Sequence, residues 1–437
     1  MPAPVSKPFK ICVVGGGIAG LAAASFLRAD NREITILEQS RMNKEVGAAI
    51  SLQPNATGVL ERAGFAKYFD KYGAMVDTGF QIFRTDGVKQ MAIPFNKENS
   101  NGYTRVLFHR VDLHDMLKEL ATEEDKTRGP AATIKTASRV ASCDCEKGTI
   151  TLESGEVLGE FDLIVGADGI HSKVRESVLG EKIQPKPTGL SAYRLLVNRD
   201  DIKDIPHAYA QCTQETWTSM MVGESCRAVM GPCRGGELLA IVALVPDDRM
   251  HEESTDSWTS SGSIDHLLES YAHFPEWIKT VFSRCPNLGL WQLRDTDPLS
   301  TWIKGRTILI GDAAHSMLPT QGQGASQSME DAEALGTFFK DFKSTPSQEE
   351  ISKVLKRVFD VRYERASIIQ GYSRQQGRPE GGAVDTKTLE VKLNPQQFHH
   401  YNAYYDGAEA WEKKQQEEKS KAKSDDLAEK VEKLAVA

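Results

Sequence analysis

The chain has 437 residues, of which 40% are hydrophobic, so it can bury a large core. This length predicts two interleaved domains rather than one. Its formal net charge of -8 argues against a general nucleic-acid-binding surface, because phosphate binding needs a concentrated basic face. No apolar run reaches the ~18 residues of a membrane span and no signal-like segment precedes the first strand, so we expect a soluble, cytoplasmic protein without a membrane span.

The segment 11–20, ICVVGGGIAG, predicts a ligand more directly than any other part of the chain. An apolar strand followed by Gly15, Gly17 and Gly20 is typical of a strand, a tight turn and a helix start that approach a pyrophosphate. By itself this motif is compatible with NAD or FAD, and isolated glycine motifs also occur by chance.

The residues after the glycine turn complete a β-α-β unit. A helix is predicted over residues 21–29 and a second strand over 33–37. Glu38 ends that strand about twenty residues after the turn, where an acidic side chain can accept hydrogen bonds from an adenosine ribose.

The next segments depart from this β-α pattern. Residues 47–64 predict a loop and a short helix that ends at Gly64. Residues 78–84 and 88–93 alternate like the strands of a hairpin and indicate where a second domain begins.

Two later positions suit the ligand-binding edge of a parallel sheet. Arg110 precedes a helix predicted over 111–119, and it could contact a pyrophosphate or a ribityl chain, or pair with a surface carboxylate. The apolar strand predicted at 161–165 is followed by Asp168, and ligands of such sheets lie beyond the carboxyl ends of the strands.

Longer alternating segments between residues 185 and 298 predict an antiparallel sheet with one covered face, followed by a helix over 264–282. The predicted strands cover residues 190–198, 208–222, 226–230 and 238–245. Arg194 shares one side of its strand with Ala192 and Leu196, so in an interior face its guanidinium needs an anionic or strongly polar partner. A structural ion pair is the alternative.

The chain then returns to the first domain. A strand is predicted at 308–310, a loop rich in glycine and amide at 319–324, and a helix over 325–339. The N–H groups at the start of a helix carry partial positive charge and stabilise an anion held against them, such as a reduced flavin.

The remainder of the chain is predicted to be helical over residues 348–377, with Arg357, Arg362 and Arg365 on exposed faces. From Trp411 onward charged residues predominate, which predicts a solvated tail, with a partner-binding helix as the alternative.

The seven cysteines are scattered along the chain, and Cys143 and Cys145 are the only close pair. No C-x-x-C motif occurs, so we predict neither a zinc ribbon nor a thioredoxin-like redox pair, and no metal site. Reduced thiols without a chemical role are expected.

Three motifs now stand in order: GGGIAG with Glu38, VGADGIHSKVR at 165–175, and ILIGDAAHSMLPTQGQGASQSMEDA at 308–332. Together they resemble the single-component FAD-dependent aromatic hydroxylases (group A flavoprotein monooxygenases), in particular the salicylate hydroxylase-like monooxygenases of fungi. The resemblance covers roughly residues 9–375. Each motif alone is weak evidence for the family, but the ordered set is strong evidence. An NAD dehydrogenase has no use for a second strand that ends in an acidic residue, Asp312, so far beyond the glycine turn.

The resemblance implies how FAD would be held. The glycines at 15, 17 and 20 would approach the pyrophosphate, Glu38 would bind the adenosine ribose, and Arg41 would lie beside the adenine. Arg110 and Asp312 would hold the pyrophosphate and ribityl region, and Asp168 would serve both FAD and NAD(P)H. The isoalloxazine would be lined by the loop before the helix predicted over 325–339, and Ser51 also belongs to the implied cofactor set. The implied loop residues are Pro319, Gly322, Gln323, Gly324 and Ala325, the last with its backbone N–H group.

For catalysis the resemblance implies Arg194, near the substrate and able to stabilise a phenolate or carboxylate, together with Pro319. The sequence departs from the family at two places. Ala48, Ala49 and Ile50 replace the usual G-A-G-I, which adds a methyl group on the flavin side. Gly231 stands where the family has a tyrosine that can bind a phenolic substrate, and its lack of a side chain predicts extra volume for a bulkier substrate.

The fold class implied is α/β, with a Rossmann-like FAD-binding domain interleaved with a smaller α+β substrate domain on an antiparallel sheet, plus a helical C-terminal region. The predicted FAD-binding domain comprises residues 1–75, 102–185 and 298–377. The predicted substrate domain comprises 76–101 and 186–297, and 378–437 form a helical or solvated tail.

The function implied is an FAD-dependent monooxygenase that uses NAD(P)H and O2 to insert one oxygen atom into an electron-rich aromatic ring through a C4a-hydroperoxyflavin. A phenol or aromatic acid is the first expectation for the substrate, and a bulkier secondary metabolite such as an indole alkaloid or polyketide is the second. An FAD- or NAD-linked dehydrogenase without oxygen insertion and a flavin-binding protein without catalysis are the alternatives. A monomer or homodimer is expected.

Overall fold

The computed structural model describes residues 7–41, 49–214, 216–247, 260–377, 390–418 and 420. Ala48 and the terminal segments 1–6 and 421–437 lie outside these residues. The helices that are labelled are α1 (Ile18–Leu27), α2 (Pro54–Arg62), α3 (Arg110–Thr122), α4 (Lys173–Leu179), α5 (Pro206–Thr213), α6 (Ile264–Ser270), α7 (Glu276–Ser283), α8 (Asp312–His315), α9 (Gly324–Phe339), α10 (Gln348–Gly377) and α11 (Pro395–Ala403), and a further helical segment covers 408–418.

The strands form two large sheets and two small ones. They are β1 (Phe9–Val14), β2 (Arg32–Leu37), β3 (Ala49–Leu52), β4 (Met75–Val76), β5 (Gly79–Arg84), β6 (Lys89–Pro94), β7 (Val106–His109), β8 (Thr133–Lys135), β9 (Val140–Asp144), β10 (Thr149–Leu152), β11 (Val157–Leu158), β12 (Leu163–Gly166), β13 (Lys186–Asn198), β14 (Trp217–Val222), β15 (Arg227–Cys233), β16 (Leu238–Pro246), β17 (Ser260–Ser261), β18 (Gly289–Asp295), β19 (Ile303–Lys304) and β20 (Thr307–Leu309).

The first large sheet has the strand order β19-β20-β12-β1-β2-β8 and is parallel except for β19. Helices cover both of its faces. On β1, Ile11 and Val13 pack into the core beneath α1 and α9, whereas Cys12 and Val14 pack into the core on the α4 side. This two-sided burial explains the continuous apolar run of the first strand. The predicted Rossmann-like α/β fold is confirmed.

The second large sheet has the order β17-β18-β13-β16-β15-β14-β5-β6. Its pairs are antiparallel except for β14 with β5. One face is covered by α5, α6 and α7, which bury residues such as Leu195, Met230 and Ile241. The antiparallel sheet and the hairpin predicted near residues 78–93 are confirmed, whereas the exact domain boundaries stay a prediction.

A bidentate ion pair connects this sheet to the first domain. Arg234, in the turn between β15 and β16, donates from Nε and Nη2 to the two carboxylate oxygens of Asp112, at 2.8 and 2.7 Å. Asp112 lies in the first turn of α3. The pair therefore fixes the sheet relative to the start of the helix that carries Arg110.

The single strand predicted over 208–222 is wrong. Residues Pro206–Thr213 form α5, and the strand β14 begins only at Trp217. Pro206 occupies the first turn, where proline is tolerated, and the buried Ala208 and Cys212 are four residues apart, which is helical spacing.

The single helix predicted over 264–282 is also wrong. It is two helices, α6 and α7, and Pro275 is the N-cap residue of the second. A proline inside a continuous helix would remove a backbone hydrogen bond and collide with the preceding turn, so the chain breaks there.

The exposed positions predicted for Arg362 and Arg365 are wrong, since both side chains are 0% exposed. The solvated tail predicted from Trp411 onward is wrong for Trp411 itself. Tyr405, Ala408 and Trp411 are buried in the core beside α9, and residues 408–418 are helical. Among the described residues no helix is both long and apolar enough to cross a membrane.

Candidate active site

The glycine turn after β1 is shaped by two close backbone approaches. Gly15 has φ +105°, and a Cβ atom there would lie 2.4 Å from the carbonyl oxygen of Ala167. A Cβ atom on Gly20 would lie 2.0 Å from the carbonyl oxygen of Gly15. Only glycine fits at either position, and the first of them brings the turn against the segment that contains Asp168.

Glu38 is brought to the same turn from the end of β2. Its carboxylate accepts hydrogen bonds from the backbone N–H groups of Gly16, at 2.8 Å, and Ser40, at 2.7 Å. The acidic group is therefore held beside the glycine turn, whereas the next predicted cofactor residue, Arg41, is exposed.

The Asp168 carboxylate folds back onto the start of α4. It accepts from the Ser172 hydroxyl at 2.5 Å and from the backbone N–H groups of Lys173 and Val174 at 2.7 and 3.1 Å. Burial raises its pKa, and these hydrogen bonds oppose that rise. The carboxylate thus orders its own loop.

Arg175, which was not among the predicted site residues, joins two of the sequence motifs. Its buried guanidinium donates to the carbonyl oxygens of Ile170, of Ala313 at 3.2 Å and of Asp312 at 3.5 Å. Its place within VGADGIHSKVR was the available signal, but carbonyl partners so distant in sequence could not be read from the motif.

Asp312 begins α8 directly after Gly311. Burial raises the pKa of Asp312, whereas the positive charges near it, including Arg110 and Arg175, act to lower it. The charge of Arg110 therefore acts on Asp312, although the two residues come from different elements.

The loop before α9 lies against β3. Gly322 has φ +62°, and a Cβ atom there would lie 2.8 Å from Oγ of Ser51. Gly324 begins α9, and a Cβ atom on it would have no atom within 4 Å, so this helix start faces open space. Its first-turn N–H groups, including that of Ala325, are those that a helix leaves without an internal partner.

Gln323 differs from its neighbours because its side chain is turned into the protein. It is 1% exposed, and its amide exchanges hydrogen bonds with the amide of Asn55 at 3.2 and 3.3 Å. Only the backbone of Gln323 remains available to a cofactor. Asn55, just after Pro54, was missed because nothing local in the sequence indicates a buried partner.

Arg194 lies over an aromatic ring. Its guanidinium carbon is 4.6 Å from the ring centroid of Trp291, on the neighbouring strand β18. Gly289 stands directly opposite Arg194, and a Cβ atom there would collide with the Trp291 indole at 2.2 Å. The glycine therefore makes room for the ring on which the arginine is stacked.

The same sheet face approaches the flavin-side loop. Ala192, two residues before Arg194, packs in one apolar cluster with Leu318, which precedes Pro319. Gly231 lies farther along this face in β15 and is buried. A Cβ atom there would lie 3.4 Å from Cδ1 of Leu107, so that side chain takes part of the predicted extra volume.

These features fit FAD. A glycine turn, a carboxylate beside it, a buried acidic strand end with a nearby arginine, and a helix start that faces open space suit the successive parts of a dinucleotide flavin. Nowhere in the described part of the chain do three or more His, Cys, Asp or Glu side chains form a group that could hold a metal ion.

Comparison with known proteins agrees with this geometry. The family model described as FAD binding domain matches residues 9–345. Hispidin-3-hydroxylase of Neonothopanus nambi is 29% identical over 404 residues, which cover 89% of this chain and 94% of that protein. The FAD-dependent monooxygenase cfoG of Aspergillus candidus is 30% identical over 419 residues, covering 92% and 94%.

Among solved structures, a salicylate hydroxylase substrate complex aligns with a TM-score of 0.73 and 27% identity, covering 93% of this chain and 98% of that one. The order of the motifs, the fold and these relatives agree. The chain belongs to the FAD-dependent monooxygenases, as an NAD(P)H-using member of the aromatic hydroxylase family that its motifs resemble.

Proposed function

We propose that this monooxygenase hydroxylates an electron-rich ring that carries a phenolate or carboxylate group, bound beside Arg194. The observation that carries the proposal is the guanidinium stacked on Trp291 at 4.6 Å, on the sheet face that meets the loop before Pro319. A stacked guanidinium keeps its planar set of N–H donors in one orientation, which suits an anionic oxygen of the substrate.

The cofactor residues have distinct parts in this proposal. The glycine turn with Glu38 binds the adenosine and pyrophosphate end of FAD, and Arg110 with Asp312 holds the middle. The backbone from Gly322 to Ala325 and the start of α9 stabilise negative charge on the reduced ring. When bound, FAD is reduced by NAD(P)H and reacts with O2 to supply the oxygen atom that is transferred.

The chain's own residues then control access to the reacting ring. Leu318 packs with Ala192 and Leu244, an apolar contact beside Pro319 that excludes water from this side of the site. Arg194 holds the substrate's anionic oxygen, which keeps electron density on the ring that is to be attacked.

The test is oxidation of a panel of phenols and aromatic acids under isotopically labelled O2. We expect a yellow protein that oxidises NAD(P)H in the presence of an accepted substrate and leaves one labelled oxygen atom in the product. A product that is oxidised but carries no label would favour a dehydrogenase and contradict the proposal.

A bulkier substrate is the second candidate, because the sheet face continues beyond Arg194 as an apolar strip. One row of cross-strand partners runs from Arg194 toward the edge of the sheet, and each of its side chains is partly or largely exposed. After Arg194 the row consists of Val242, Val229, Met220, Ile82 and Met91. At about 4.8 Å per strand the row is about 24 Å long, which exceeds one aromatic ring.

Replacing Met220 with glutamine tests this candidate. We expect the KM for an extended, multi-ring substrate to rise about tenfold, because the strip loses apolar contact area, while the KM for a single-ring phenol stays unchanged. Val157→Gln, at an apolar strand residue that is 63% exposed and outside the strip, is the matched control. Equal KM changes for large and small substrates would exclude a role for the strip in substrate size.

A further inference from the structure

Behind the flavin-side loop lies a cluster of buried amides. The Gln323 amide oxygen accepts from Nδ2 of Asn55 at 3.2 Å and from Nε2 of Gln327 at 3.0 Å. All three side chains are at most 1% exposed. Since a buried amide is costly to leave unpaired, this cluster fixes the direction in which the Gln323 side chain points.

The amide cluster is joined to buried charges through Glu330, in the second turn of α9. Its carboxylate accepts from Nδ2 of Asn55 at 2.6 Å and pairs with Arg365 through two hydrogen bonds of 2.8 Å. It also pairs with Arg362, which in turn binds the Gln327 side-chain oxygen at 2.6 Å.

Asp331 completes the charge balance. It accepts from Arg362 Nε at 2.9 Å, from the Gly311 backbone N–H at 2.9 Å and from the His315 ring at 2.7 Å. Two carboxylates and two guanidinium groups are thus buried together with no net charge. Loss of either carboxylate leaves a surplus positive charge in the interior.

Arg365 extends the connection to the C-terminal part of the chain. It donates to the carbonyl oxygens of Tyr401, at 2.6 Å, and Asn402, at 3.0 Å, and it lies over the rings of Tyr405 and Trp411. The segment that follows α10 is therefore attached to the same carboxylate that holds Asn55.

We propose that Glu330 is a positioning residue for the flavin, which acts through Asn55 and Gln323 and is itself held by Arg362 and Arg365. With the Gln323 side chain fixed inward, the backbone from Gly322 to Gly324 is held open toward the cofactor at the start of α9. This role needs FAD binding but does not depend on which substrate is hydroxylated.

The decisive variant is Asn55→Ala, because it breaks the connection and leaves every charge in place. We expect the FAD dissociation constant of the apoprotein, measured by flavin fluorescence, to rise at least tenfold. We also expect the midpoint potential of the bound flavin to become more negative, because the backbone N–H groups at the α9 start stabilise the anionic reduced form less well.

Glu330→Gln is the second variant. The arginines then have too few acceptors and draw the oxygens of Gln327 and Gln323 toward themselves, so FAD affinity is expected to fall by a similar factor. If this variant does not fold, Asn55→Ala alone decides the question.

Glu333→Gln is the matched control. Glu333 lies one turn later on the same helix, is half-buried, and accepts from the Tyr405 hydroxyl at 3.0 Å and the Ala408 N–H at 3.0 Å. It has no hydrogen bond to the amide cluster among those of the described residues. Its loss should lower the thermal midpoint but leave FAD affinity and potential unchanged. Wild-type affinity and potential in Asn55→Ala, or the same losses in Glu333→Gln, would overturn the proposal.

Discussion

Replacing Gly15 with alanine is expected to give a protein that no longer retains FAD. The added Cβ atom would lie 2.4 Å from the Ala167 carbonyl oxygen, a backbone atom that cannot rotate away, and alanine is strained at φ +105°. Together these effects should cost about 2–5 kcal/mol, part of it in stability and part in FAD binding. An increase of about a hundredfold or more in the FAD dissociation constant corresponds to about 3 kcal/mol.

The matched control is Gly180→Ala. Gly180 also has a positive φ, +75°, but no atom lies within 4 Å of the position of its Cβ. It should lose about 1–2 kcal/mol of stability through backbone strain and keep wild-type FAD affinity. If Gly15→Ala also kept wild-type affinity, the close approach of the glycine turn to the Asp168 segment would have no role in holding the cofactor.

Replacing Arg194 with alanine is expected to lower kcat/KM for an accepted substrate by about a hundredfold to a thousandfold, the range seen when one preorganised donor to a developing negative charge is removed. FAD affinity and the flavin absorption spectrum should not change, since Arg194 lies on the antiparallel sheet and is not one of the residues assigned to FAD binding. Steady-state kinetics and flavin titration of the same preparation measure both quantities.

Two further variants test whether the loss of activity is due to the Arg194 guanidinium itself. Arg194→Lys keeps the charge but loses the planar stacking on Trp291, so intermediate activity is expected. Arg294→Ala removes an arginine that lies on β18 and points to the opposite face from Trp291, and it should leave kcat/KM within a few-fold of wild type. Full activity of Arg194→Ala would exclude Arg194 from the mechanism.

The arrangement of the site explains why its parts are so far apart in sequence. The glycine turn follows β1, the Asp168 loop follows β12 and Asp312 follows β20. These three strands lie side by side in one parallel sheet, in the order β20-β12-β1. Their carboxyl ends share one edge, and the Arg175 guanidinium joins the second and third of these segments. One cofactor bound at this edge can thus contact three segments that are far apart in the sequence.

The sequence by itself determined the family, the cofactor and the parallel sheet. These depend on local patterns: glycines where a Cβ has no space, apolar runs where both faces are buried, and acidic residues at strand ends. Gly15, Asp168 and Asp312 could be proposed as site residues because the roles proposed for them require a particular residue type at a particular place in one strand-turn unit.

Only the tertiary structure decided which polar side chains are buried together. Arg362 and Arg365 look solvent-exposed in a helical pattern, because their partner Glu330 belongs to another helix and lies more than thirty residues earlier. For the same reason the sequence could predict that Gln323 belongs to the flavin-side loop, but it could not predict that the side chain points inward. That direction is set by the hydrogen bond with Asn55. The contact of Leu107 with Gly231 is likewise a packing of two strands from different sheets, and no local pattern encodes it.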